Sequence, residues 1–308
     1  MTRMPRADWR KMFSVLVSAV LILSGRWCGA QGHGEVANWQ SAAESAAVKA
    51  ADARILVIEI STGRLLASAR LDEAAHTLAT PGSTLKPLIL YYALESRSWD
   101  SQRRVACSRQ LRIAGHRLDC FHPPADPMNA EQALTWSCNS YFAALAGALA
   151  PGELRRALGE RGLFAATGLA QGEALAEFAE PRTREAAELR VLGVDGVRVT
   201  LPELAEAYRS LAIVLNGRSE AAEVVRAGLS DSASFGMAGA ASLGGVAVAG
   251  KTGTAEANAG APTHGWFAGL APAGTPRVVV AVYLPVGRGA DAAAVAAEVL
   301  AHSPLRRP

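Results

Sequence analysis

The chain has 308 residues, half of them apolar, and 31 basic against 28 acidic side chains give it a formal net charge of +3. That is enough apolar material for a sizeable core, in one large domain or two small ones. The arginines are scattered and form no basic block, which speaks against nucleic acid as a partner.

The first thirty residues differ from the rest. Arg3, Arg6, Arg10 and Lys11 precede an apolar run from Phe13 to Leu23. The run has the length of a signal-peptide core and falls short of the ~20 residues of a spanning helix. Cys28-Gly29-Ala30 places small residues where a signal peptidase reads, so cleavage before Gln31 is expected. Arg26 and Trp27 argue against Cys28 as a lipid anchor. An uncleaved N-terminal anchor is the alternative, and both readings export the body to a periplasmic or other extracytoplasmic space. Residues 31–52, with Trp39 their only large apolar group, read as a linker passing into a helix.

Ile55 to Ile60, a turn at Ser61-Thr62-Gly63, and Arg64 to Ser68 predict a hairpin. Pro81-Gly82 breaks the chain before an apolar stretch of helix length, Leu85 to Leu94. The pattern then stays mostly helical to about residue 235. Asn129 caps a short helix ending near Thr135, Tyr141 to Leu149 reads as another, and Thr200 with Glu203 has capping-box spacing before a helix at 204–215. Strands return at 246–254, 265–270 and 277–284, and Asp291 to Ala301 closes as a helix. The run from Gly236 to Gly250 lacks phosphate-loop spacing and reads as a loop entering a strand. Strands at both ends with helices between them predict an α+β fold: one sheet assembled from distant segments, with a helical insertion packed beside it.

In an exported chain Cys107 and Cys120 are free to pair, leaving Cys138 over. His116 and His122 lie near them, so free thiols and zinc are the alternatives, zinc the lesser because C-x(12)-C with interleaved His is not a standard ligand spacing. No metal and no cofactor is assigned.

Three short signatures occur in order: Ser83-Thr84-Leu85-Lys86, Ser137-Cys138-Asn139 and Lys251-Thr252-Gly253-Thr254. The chain holds four lysines against twenty-seven arginines. The two lysines of the presumed folded body stand in the first and third signatures, where a side chain able to give up its proton has work a guanidinium cannot do. A serine hydroxyl needs a base to become a nucleophile. Ser83 and Lys86, three apart at the mouth of a helix, share a face, and burial together with Lys251 would lower the Lys86 pKa. Ser137 is placed to pass a proton to a leaving amine, and Asn139 to bind Lys86 and substrate. Each signature also has a bland reading: a helix cap beside a solvated lysine, a turn, an ordinary strand. In the third, a strand edge accepts an extended acyl substrate, with Lys251, Thr252, Gly253 and Thr254 binding it, the lysine and the two threonines on its carboxylate. The Ser83 and Thr254 backbone N–H groups then form an oxyanion hole.

On these signatures the chain resembles the transpeptidase domain of penicillin-binding proteins, within the superfamily that includes serine β-lactamases. Leu78 to Gly82, Trp136 to Phe142 and His264 to Pro272 are similar to the family's flanking segments. The resemblance spans most of the chain after the leader. It implies a catalytic domain over 53–302, an antiparallel five-stranded sheet flanked by helices, and an all-helical subdomain over about 95–235. It also implies acyl transfer from D-Ala-D-Ala stem peptides of peptidoglycan through an acyl-enzyme on Ser83, as a D,D-transpeptidase or D,D-carboxypeptidase. β-Lactams become covalent ligands, and a cell-wall synthesis complex an expected partner. The short leader leaves no room for a pedestal or glycosyltransferase domain, so a bare catalytic module is expected. Thr200-Leu201-Pro202 departs from the family, where Pro would directly follow Thr.

Two other readings compete. A serine β-lactamase needs a second base to activate water, and Glu173, at a suitable distance beyond Ser137, lacks the E-x-x-L-N pattern of class A enzymes. Class D enzymes usually carry Val where Asn139 stands. A non-catalytic module binding cell-wall peptide or β-lactam is the third, and the intact signatures weigh against it.

Overall fold

The structure is a computed structural model that describes residues 34–50, 52–123, 127–256 and 260–306; the leader at 1–30 lies outside them. Among the described residues no helix is long and apolar enough to cross a membrane. The segment expected to pass into a helix does so: residues 34–49 form α1. The hairpin follows as β1 (Arg54–Glu59) and β2 (Leu65–Ala69), then a short α2 (Leu71–His76) and, after a 3-10 turn, α3 (Lys86–Glu95).

The insertion contains two-residue ladders too short to show a period of their own. β3 (Arg112–Ile113) pairs with β4 (His116–Arg117), and β5 (Glu177–Phe178) pairs with β6 (Val197–Arg198). Its helices are α4 (Ala130–Thr135), α5 (Asn139–Ala146), α6 (Glu153–Gly159), α7 (Arg184–Val191), α8 (Leu201–Leu215) and α9 (Glu220–Ser234). Asn129 and Thr200 both form complete capping boxes, with Gln132 and Glu203. The Leu-Pro order after Thr200 costs the helix nothing. Pro202 falls in the first turn, where its missing N–H has no intrahelical partner to lose.

The chain returns as β7 (Ala249–Glu256), β8 (Thr263–Ala271) and β9 (Val278–Leu284), and ends in α10 (Gly289–Ala301). The five long strands form one sheet in the order β2-β1-β9-β8-β7, and each neighbouring pair is antiparallel. The five-stranded antiparallel sheet flanked by helices is therefore as expected.

Alternation along the strands divides the core. Ile55, Val57, Phe267, Val280 and Val282 pack with Trp39 of α1 and with Ala292, Ala296 and Val299 of α10. Leu56, Ile58, Trp266, Ala268, Leu270 and Ala281 face the other way, onto Leu204, Tyr208 and Leu211 of α8 and the helical insertion. Both faces of the sheet are covered, which is why β9 reads as an unbroken apolar run. The edge left for function is β7, which lies against the turn that carries Ser83.

Candidate active site

Ser83 lies in a 3-10 turn over Gly82–Leu85 that runs directly into α3. Lys86 N–H donates to the Ser83 carbonyl, and in a 3-10 turn residues three apart eclipse each other. Ser83 and Lys86 thus stand on one face, the serine partly exposed and the lysine fully buried. Gly82 has φ 56°, and a Cβ there would lie 2.9 Å from both the N and the O of Thr254. Only glycine combines that backbone with that approach.

The turn is clamped on several sides. Gly82 N–H donates to Gly193 O at 2.8 Å. The Thr80 carbonyl accepts from Trp266 Nε1 at 3.0 Å and from His264 Nε2 at 2.7 Å, both on β8. Tyr208 Oη, buried on α8, donates to Thr84 O at 2.9 Å. These four clamping residues were not singled out from the sequence as site residues. His264 and Trp266 stood in a segment read only as a strand with a family likeness, and Gly193 and Tyr208 carry no local signal at all.

The second signature closes over the lysine. Lys86 Nζ donates to Asn139 Oδ1 at 2.7 Å, to Ser137 O at 2.9 Å and to Ser137 Oγ at 3.2 Å. Ser137 takes φ 54°, a left-handed backbone that is uncommon for a residue with a Cβ, in the link between α4 and α5. Asn139 opens α5, and its Nδ2 donates to Leu118 O at 3.0 Å, which turns Oδ1 toward the lysine. Burial pushes the Lys86 ammonium down to about 8, against an opposing pull from Cys120 and Cys138. A base with that pKa is half neutral in mildly alkaline solution.

The third signature lies on β7. Lys251 is fully buried and donates to Thr252 O at 3.1 Å. Its pKa falls well below the ordinary lysine value, first through burial and then through the charge of Lys86. Burial is the largest cause for both lysines, and the repulsion between their two ammonium groups, which is mutual, adds to it. Gly253 faces the turn that carries Ser83, where a Cβ would meet Pro81 O at 2.3 Å. Thr252 and Thr254 lie on the opposite face of the strand. Thr252 is buried there, with Oγ1 donating to Met237 O over 3.4 Å. Thr254 is exposed, and its Oγ1 accepts from Gly289 N–H at 2.9 Å, so its own hydroxyl proton stays available.

Of the readings open for Cys107 and Cys120, the disulfide is not formed and the free thiols are what the structure has. Cys107, Cys120 and Cys138 are all free thiols. They belong to a convergence invisible in the spacing. Cys138, between Ser137 and Asn139, brings a third sulfur to the other two, and His122 joins them while His116 stays exposed on β4. Cys138 hydrogen-bonds Cys120, which lowers the Cys120 thiol, with help from Asn139 N–H, and raises its own.

Glu173, the residue weighed as a second base, is committed to its own loop. It accepts from Thr167 Oγ1 and from Ala170 N–H, both at 2.8 Å, and also from Thr167 N–H.

Known proteins share this fold. The chain is similar in structure to the D,D-transpeptidase domain of a peptidoglycan glycosyltransferase from Eggerthella lenta, at 23% identity over 86% of this chain and 80% of that one, TM-score 0.73. A peptidoglycan glycosyltransferase from Burkholderia ambifaria superposes with TM-score 0.75 at 21% identity, covering 86% of this chain and 94% of that one. The transpeptidase domain of Burkholderia pseudomallei penicillin-binding protein 3 does so with TM-score 0.75 at 20% identity, covering 88% and 93%. A search of curated protein sequences finds no match. The sequence profile of the penicillin-binding protein transpeptidase domain matches residues 53–303, and the chain belongs to that family.

Proposed function

We propose that this protein is a penicillin-binding serine acyltransferase that acts on D-Ala-D-Ala stem peptides of peptidoglycan, with D,D-transpeptidation its first activity and D,D-carboxypeptidation close behind. One observation carries the reading. A fully buried lysine, held by Ser137 and Asn139, stands one 3-10 turn from a partly exposed serine, and that turn rests on the edge strand of the sheet.

The stem peptide lies along β7 as an added strand. Its terminal carboxylate meets the free hydroxyl of Thr254, and the buried Lys251, on the other face of β7, favours the anion through its charge. Thr252 is buried against α10 and serves by positioning the strand. Neutral Lys86 accepts the Ser83 proton as Oγ attacks the penultimate D-Ala carbonyl. The oxyanion that forms takes hydrogen bonds from Ser83 N–H and Thr254 N–H. Ser137 relays the proton from Lys86 to the departing D-Ala amine, and the C–N bond breaks to leave an ester on Ser83. An amine of a second stem peptide, or water, then attacks the ester with its proton passing back along the same route. Asn139 fixes both Lys86 and the substrate amide. Export of the body by the N-terminal segment and membership of a cell-wall synthesis complex belong to the same reading.

The test is labelling with fluorescent penicillin, wild type beside Ser83→Ala. Label that persists for hours and requires Ser83 is expected, with D-Ala released from a stem-peptide donor and an amine acceptor joined to the remainder. Fast loss of label would make the protein a β-lactamase, an outcome that the engagement of Glu173 disfavours. No label on the folded wild type would make it a non-catalytic module.

A further inference from the structure

We propose that Cys107, Cys120, His122 and Cys138 form a closed four-ligand site for a soft divalent metal ion, zinc by the chemistry of its donors, built directly behind the second catalytic signature. One ligand atom from each of the four residues lies within 4.8 Å of every other. Cys120, His122 and Cys138 are buried, and Cys107 is half-buried.

The histidine points to a ligand independently of the sulfurs. His122 Nδ1 lies 2.7 Å from Pro123 O, so Nδ1 carries the proton that it donates. That tautomer leaves a lone pair on Nε2. The side chain is 1% exposed, and Nε2 is buried without a hydrogen-bond partner. An unsatisfied buried acceptor is costly, and a metal ion beside three sulfurs removes that cost. The Nδ1 hydrogen bond to a carbonyl is also the outer contact that orients metal-binding histidines.

The sulfurs are prepared in the same way. Asn139 N–H points at Cys120 Sγ over 3.3 Å, and Arg109 N–H at Cys107 Sγ over 3.4 Å. Backbone donors of this kind stabilise thiolates. Three sulfurs and one imidazole make a Cys₃His set, which zinc takes as a tetrahedral structural site. Zn–S bonds of about 2.3 Å put tetrahedral ligands about 3.8 Å apart, so closure asks about 1 Å of a cluster whose widest separation is 4.8 Å. Side-chain rotation supplies that. A disulfide between any two of the thiols would leave an odd thiol and the orphan imidazole unexplained.

The position gives the ion a task. Cys107 precedes β3, Cys120 and His122 follow β4, and Cys138 is the N-cap of α5 between Ser137 and Asn139. The β3–β4 ladder is only two residues long on each side, with little apolar area of its own. An ion here fastens that loop to the segment that grips Lys86.

Elemental analysis of the full chain, purified without chelator, tests the site apart from any catalytic readout. Close to one zinc per chain is expected. After metal removal under reduction, added cobalt(II) should give a thiolate-to-cobalt charge-transfer band and tetrahedral d–d bands, and His122→Gln should weaken cobalt binding by about tenfold or more. The cobalt spectrum of the wild type stands even where a variant fails to fold. A reduced, folded wild type that retains no metal and gives no thiolate–cobalt band overturns the proposal, and so does a chain purified metal-free with two of the three cysteines joined. Penicillin labelling reports separately on the acyltransferase reading.

Discussion

The proposed mechanism concentrates its chemistry into one amine, that of Lys86. Water would leave it charged and useless as a base, and full burial brings it to about 8 while three oxygens of Ser137 and Asn139 keep it aimed. The charged and titratable groups that bear on it are Lys251, Cys120 and Cys138. In the proposed mechanism the neutral amine is the active form, so the second-order rate of penicillin acylation should rise with pH through an inflection near 8 and level off above it. A rate that falls over that interval would remove Lys86 from the base role. Lys86→Arg separates base from charge, because a guanidinium keeps the charge and does not deprotonate in proteins. Its acylation rate should drop by about 100- to 10,000-fold. A thermal melt of the variant checks that the fold is kept, and a folded variant that labels at the wild-type rate would show that charge alone is what matters.

At the scale of elements, the parts legible from sequence were those set by neighbours along the chain. Asn129–Gln132 and Thr200–Glu203 close their boxes three residues apart, and the Pro81-Gly82 break leads into the helix it announced. What escaped was set by contacts between distant segments. Ser137 is held left-handed by the junction of two helices, His122 and Cys138 meet across a loop, and the two-residue ladders exist only because larger elements bring them together. Glu203 shows the two kinds of information in one side chain. It completes the cap with Thr200 N–H and Oγ1, and its other oxygen reaches Phe164 N–H at 3.2 Å and Ala176 N–H at 2.8 Å in a separate loop. The carboxylate is fully buried, so Glu203→Ala strands several donors at once. A loss of about 3 kcal/mol is expected, with Tm lower by roughly 6–12 °C for a domain of this size. A loss below about 1 kcal/mol in denaturant melts would mean that water or rearranged loops replace the carboxylate, and that it is a cap and nothing more.

For the whole molecule, the order of segments already implied one sheet closed by the two ends of the chain, and β1 indeed pairs with β9 from Arg54↔Tyr283 to Glu59↔Val278. Less visible was that the residues before the hairpin belong to the core. The segment expected to begin as a linker places Trp39 fully buried beneath the sheet, against the α10 side, with Ile55, Val57 and Val280. Lys86 and the Ser83 turn lie with the opposite core, among Leu85, Leu88 and Tyr208. The sheet therefore separates a stabilising layer from a working layer, and truncation in the first should leave the second intact. Trp39→Ala removes a large buried side chain and is expected to cost about 3–5 kcal/mol. Distant sites without shared partners contribute independently, so the acylation rate of the folded variant at 25 °C should stay within about twofold of wild type. Denaturant melts and stopped-flow penicillin labelling on one preparation give both numbers. Labelling that fell in proportion to stability, under conditions where the variant is fully folded, would show that the two layers are coupled through the sheet.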